Sequence, residues 1–254
     1  MIGPSRRRSR LDCCGRDMGY GGYGGYGMGY GGYGTSMGYS SGYCSYNNPY
    51  YSNNYGSYGS YSYAQPIPVA NPNTTGASSA CDQSLNSAAD AFKQNNYDLA
   101  LDIMNKGIVQ CPTDAVLHEF RSLVLFAKAD YQQAASTLHS VLAVGSGWNW
   151  TTLSGLYPDV ATYTAQLRAL ERFVKSNPQD GSGRFLLAYH YLVDGYPDSA
   201  ADQLTQVVRI VPADRVAGDM LKLISKQPHQ TASAAAQPVP QPPPGGPATS
   251  SRDV

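Results

Sequence analysis

The chain has 254 residues, and its 18 Lys and Arg are balanced by 18 Asp and Glu, giving a formal net charge of zero. This neutrality excludes the basic excess of a nucleic-acid-binding surface, and no run of roughly 18 apolar residues exists to make a membrane-spanning helix. Five cysteines, at 13, 14, 44, 81 and 111, are odd in number and lack ligand spacing. A complete disulfide framework and a zinc site are therefore excluded, and the thiols are expected to be incidental, as in a reduced compartment.

Residues 1–80 form a leader of unusual composition. Arg6-Arg7-Arg8 and Arg10 are followed by Gly and Tyr rather than by an apolar stretch, so neither a secretory nor a twin-arginine signal is present. As it stands the sequence reads as cytoplasmic, with export expected if the true start lies upstream. Fourteen of the 21 tyrosines fall between Tyr20 and Tyr63, spaced by Gly, Ser and Asn. Glycine loses much entropy on ordering and offers nothing to bury, so this tract is expected to be disordered. Its regularly spaced rings suit weak self-association through residues 19–63, and a plain solubilising tail is the alternative. Residues 64–80, with Pro66, Pro68 and Pro72, read as a linker.

Helical patterning begins near Asp82. Leu85, Ala88, Ala89 and Phe92 share one helix face, Asn95-Asn96 make a turn, and a second helix over about 98–109 stops at Pro112. The next unit repeats this, with Leu117, Phe120 and Val124, a turn at Ala129-Asp130-Tyr131, and Ala134, Leu138 and Val141. From Trp148 to Pro158 the pattern fails and only a helical turn is expected. A strong helix follows over about 158–176, with Pro158 suited to its first turn. The last unit is regular, from Phe185 to Pro212, with Gly195 placed as a left-handed stop. A helix over about 213–226, apolar on one side and charged on the other, reads as a cap. Residues 228–254 are rich in Pro, Gln and Ala; Pro238 to Pro244 favours polyproline II.

Ala100 to Ala134 is 34 residues, and so is Pro178 to Pro212. Residues 81–114, 115–148 and 181–214 resemble tetratricopeptide repeats, with small residues Ala88, Ser122 and Ala188 in the first helices and Ala100, Ala134 and Ala200 in the second. The Trp148 to Pro158 segment resembles one found in bacterial tetratricopeptide proteins with Gly/Tyr-rich leaders. The resemblance implies an all-α solenoid over 81–227, about four units plus a capping helix. Its third unit, at about 149–180, has Gln166 where the family has Ala.

The function implied is a non-enzymatic scaffold that binds a protein or peptide segment in a concave groove lined by the first helices. Mapped onto this chain, the groove candidates are Glu119, Leu123, Phe126, Phe185, Tyr189 and Leu192. In an intramolecular version, the chain's own Tyr tract fills that groove. Trp148 and Trp150 are loop candidates, either a binding hot spot or a plug beside the shortened third unit. The alternative function is a structural envelope or surface protein assembling through the Gly/Tyr tract. No P-loop, GxSxG or HExxH pattern is present. Catalytic residues, cofactors and metals are not expected, and His118, His139 and His190 read as buried structural histidines.

Overall fold

The computed structural model describes residues 46–52, 61–68, 78–145 and 147–226. The disorder expected for most of the leader and the polyproline II expected for 238–244 fall outside these residues. Among the described residues the regular structure is entirely helical. The elements are α1 Ser78–Lys93, α2 Tyr97–Gln110, α3 Ala115–Ala127, α4 Tyr131–Leu142, α5 Trp150–Gly155, α6 Val160–Ser176, α7 Gly181–Val193, α8 Pro197–Ile210 and α9 Arg215–Lys226.

The hairpins α1–α2, α3–α4 and α7–α8 share one turn chemistry. Asn95 and Ala129 stand at φ 59° and Gly195 at φ 81°, each just past the end of a first helix. The following N–H groups of Asn96, Asp130 and Tyr196 reach back to the carbonyls of Ala91, Leu125 and Tyr191. This satisfies carbonyls the helix end would otherwise orphan. Asn96 and Asp130 then cap the second helices, accepting from the N–H of Leu99 and Gln133. Tyr196 gives no such bond, and Pro197 at the first helical position has no N–H to satisfy.

Small residues set how closely each pair packs. Ala88, Ala100, Ala134, Ala188 and Ala200 are fully buried. Ser122, the polar one of the set, donates its hydroxyl to the carbonyl of Ala134 at 2.8 Å, so its burial leaves no unpaired group.

The hairpins stack through α2 on α3, α4 on α7 and α8 on α9. Here the structure differs from the four stacked units expected. α7 packs beside α4 as well as against α6, so the third unit does not separate the second hairpin from the last. The tyrosines of that third unit reach other elements: Tyr157 lies against Phe92 of α1, and Tyr163 against Phe126 of α3 and His190 of α7. Phe173 meets Tyr131 at the start of α4. The missing alanine at Gln166 fits this: Gln166 accepts from Tyr157 and donates to the Tyr97 hydroxyl, a bridge to α2 rather than a helix crossing. Pro158 also lies outside α6, whose cap is Asp159.

The cysteine expectation is corrected as well. Cys81, in the first turn of α1, and Cys111, the C-cap of α2, form a disulfide with Cα atoms 6.1 Å apart. A hairpin carries the chain out along one helix and back along the other. Residues 30 apart therefore meet at its open end, a pairing that short-range cysteine spacing does not reveal.

Candidate functional site

The six groove candidates do not lie together on one exposed concave face, although Tyr189 and Leu192 border an apolar cleft. Glu119, Leu123, Phe126, Phe185, Tyr189 and Leu192 are all buried. The 148–163 segment covers the α3 face. The Trp148 N–H donates to Glu119 Oε1 at 2.7 Å, and the Tyr189 hydroxyl donates to the same oxygen at 2.6 Å. Trp148 lies half-buried against Phe120, and Trp150 packs edge-on against Tyr163. Burial raises the Glu119 carboxyl to about 7, against the lowering effect of its two donors. Gly147 permits the close pass, since a Cβ there would lie 2.5 Å from the Tyr189 ring. The apolar character of Leu123 and Phe126 is thus spent on the chain's own core. Phe126 stacks on His190 with ring centroids 4.0 Å apart, and burial depresses that imidazole to about 3.

Beside this face is a small apolar cleft of about 40 Å³, bounded by Leu142, Trp148, Tyr189, Leu192, Met220 and Leu223.

The polar site lies on another side of the array, and sequence reasoning missed it. Residues 46–52 and 61–68 of the leader dock there, bringing Asn48, Tyr50, Tyr63 and Ile67 into burial. The leader therefore does occupy a surface of its own array, but not the groove expected; of the groove candidates, Phe185 is the one in ring contact with it, 5.2 Å from Tyr50.

Three tyrosines enter three polar sockets. The Tyr50 hydroxyl donates to Asp214 Oδ2 at 2.6 Å, while Asp214 Oδ1 stands 3.2 Å from His139 Nε2 and accepts from the Ala217 N–H. Burial alone would raise the Asp214 carboxyl, but His139, the Ala217 N–H and Tyr50 outweigh it and hold it below its usual value. Burial and the Asp214 charge push the Tyr50 phenol far up, so it remains a donor. The second tyrosine, Tyr46, places its hydroxyl 2.7 Å from His139 Nδ1 and 3.1 Å from Ser140 Oγ.

Tyr63 enters beside α3. Its hydroxyl is 2.8 Å from His118 Nδ1, and His118 Nε2 is 3.0 Å from the Pro112 carbonyl. A carbonyl only accepts, so Nε2 carries the proton and Nδ1 accepts from Tyr63. Burial lowers His118 to about 4, keeping it neutral for this role. The Arg121 guanidinium sits 5.2 Å from the Tyr63 ring centroid and is itself fixed by Asn105 and Thr137. Burial raises the Tyr63 phenol to about 12, with Arg121 opposing it.

Asn48 ties the two leader segments to α4. Its amide nitrogen donates to the carbonyls of Tyr63 and Ser136 at 2.9 and 2.8 Å and to Ser140 Oγ at 3.2 Å, and its oxygen accepts from the Tyr50 N–H. Gly181 permits the close approach of Val211 at the end of α8, whose Cγ2 would lie 2.8 Å from a Cβ there, while Tyr50 Cε1 sits at an ordinary 3.5 Å. One signal for this site was legible: Ser136, His139 and Ser140, at i, i+3 and i+4, put a polar patch on a helix whose other stripe is Ala134, Leu138 and Val141. His118 and Arg121 continue it on α3. Among the described residues no group of three His, Cys, Asp or Glu could hold a metal, and no helix is long and apolar enough to cross a membrane.

The described array is thus an all-helical solenoid of stacked helix–turn–helix hairpins, of the tetratricopeptide type in spacing and small-residue placement, with a peptide segment seated on it. No protein-family model and no curated protein matches the chain. Among solved structures, it is similar to MamA 41-end from Desulfovibrio magneticus RS-1, at 17% identity over 59% of this chain and 91% of that one, with a TM-score of 0.28. The MamA RS-1 ArsTM double mutant matches at 15% identity over 59% and 94%, with a TM-score of 0.26.

Proposed function

We propose that the protein is a non-enzymatic interaction scaffold that binds a tyrosine-bearing segment across α3, α4, α7 and the start of α9. The observation that carries this is the seating of residues 46–52 and 61–68 in polar sockets on that surface. A passive tail would make shallow, interchangeable contacts. Here a buried Asn donates to two carbonyls and accepts a backbone N–H, and each of three phenols meets a polar partner.

Hydrogen exchange on the full chain tests this. In the wild type, the amides of Tyr50, Tyr51 and Ile67, whose N–H groups have acceptors in the docked leader, are expected to be protected. Asn48→Asp keeps the shape but removes the donors and sets a carboxylate against two carbonyls, a loss of about 2–4 kcal/mol. Both leader segments should then exchange freely while α3 and α4 stay protected. Leader amides that exchange freely in the wild type would refute the reading.

A second reading, a structural envelope or surface protein, is favoured by the Cys81–Cys111 bond, since such bonds persist in oxidising compartments. Trapping thiols by alkylation in intact cells separates the two: an oxidised pair in the extracytoplasmic fraction supports the envelope reading, and a reduced pair inside the cell opposes it.

A further inference from the structure

The docked segment Tyr46-Asn47-Asn48-Pro49-Tyr50 presents alternate residues. Tyr46, Asn48 and Tyr50 face the array, and Asn47 is exposed. Each inward residue has a chemically specific counterpart: Tyr46 has His139, Tyr50 has Asp214, and Asn48 has the Ser136 carbonyl and Ser140. The pattern is Tyr-x-Asn-x-Tyr. A phenylalanine would leave Asp214 short of a donor, and an aspartate at the centre would set acceptor against acceptor.

The same pattern recurs directly downstream as Tyr51-Ser52-Asn53-Asn54-Tyr55. The chain therefore carries two ligands of this kind for one site. The site is built from residues 136 to 214, and the ligand joins the array only through residues 69–77. Nothing in its side-chain chemistry distinguishes a segment of the same chain from that of another.

We infer that the His139–Ser136–Ser140–Asp214 surface is a site for Tyr-x-Asn-x-Tyr segments, and that a second copy of this chain supplies one in trans. The inference rests on the proposed scaffold reading and names the partner. It makes the association head-to-socket: the patch that gives differs from the patch that receives. Two copies can exchange segments reciprocally.

A complementation experiment on full-length chains tests this. One variant loses both ligands (Tyr46, Asn48, Tyr50, Tyr51, Asn53 and Tyr55 all to Ala) and keeps the socket. The other keeps both ligands and loses the socket (Asp214→Asn with His139→Phe). Should that pair unfold the array by circular dichroism, Ser140→Val replaces it. Each variant is expected to be a monomer by light scattering at a concentration where the wild type self-associates, and their equimolar mixture is expected to double in mass. A wild type that stays monomeric, or a mixture that stays monomeric, overturns the inference. So does self-association that survives in the ligandless variant alone. In all three outcomes, protected leader amides in the wild type would leave the scaffold reading standing; loss of that protection would remove both.

Discussion

Glu119→Gln should make the protein more stable in mild alkali while leaving its stability in acid almost unchanged. Glu119 is buried with both of its donors, Trp148 N–H and Tyr189 OH, on one oxygen. In the folded chain the carboxyl holds its proton up to about 7, against 4.5 when exposed, because burial disfavours the charged form. The sign follows from linkage. Below 4.5 both states are protonated and the group is neutral to folding. Between 4.5 and 7 the unfolded chain ionises first, so folding loses free energy as pH rises, and above 7 the loss is constant. The full loss is about 3 kcal/mol. Glutamine keeps the accepting oxygen without the charge, so the variant should gain about that much over the wild type at pH 8 and nearly nothing at pH 4. His118 and His190, depressed to about 4 and about 3 by burial, lose stability in the opposite direction, as pH falls below 6.5. They are common to both proteins and cancel in the difference. Urea unfolding followed by helix circular dichroism at several pH values measures it. Stability curves that run parallel from pH 4 to pH 8 would refute the assignment of Glu119 as a buried, proton-holding clamp.

Two further outcomes follow from the same packing. Replacing both Cys81 and Cys111 by Ala should lower stability by about 3–4 kcal/mol through the lost loop constraint, and a reductant should reproduce the effect in the wild type but not in the variant. Gly147→Ala should cost about 1–3 kcal/mol, because its Cβ would press on a Tyr189 ring whose hydroxyl is already fixed; a thermal midpoint equal to wild type would show that the 147–148 passage is loose.

Local chemistry was legible in the sequence, and non-local placement was not. Asn95, Ala129 and Gly195 announce their turns because the residues around them supply the caps. Ala100, Ala134 and Ala200 announce close helix crossings at a fixed period. The position of α6 was hidden, because a helix with an apolar stripe looks the same whether it stacks in an array or lies across one. Leu123 and Phe126 pointed to a groove for the same reason: apolar side chains that face a ligand and those that face the chain's own Tyr163 have one composition. The docked leader was hidden by its neighbours. Tyr46, Asn48 and Tyr50 differ from the surrounding tyrosines only in what they meet, and Asp214 lies 164 residues from Tyr50.

The direct packing of α4 on α7 changes the order in which this fold can assemble. An ordinary array of hairpins zips between neighbours in sequence. Here α4 must find α7 across 38 intervening residues, so the middle of the stack closes by a long-range search. The leader comes later still: the carboxylate that receives Tyr50 is held in place by the Ala217 N–H at the start of α9. A segment synthesised before the array is thus the last to find its seat. During synthesis Tyr50 stays unseated until Asp214 and the start of α9 have been made.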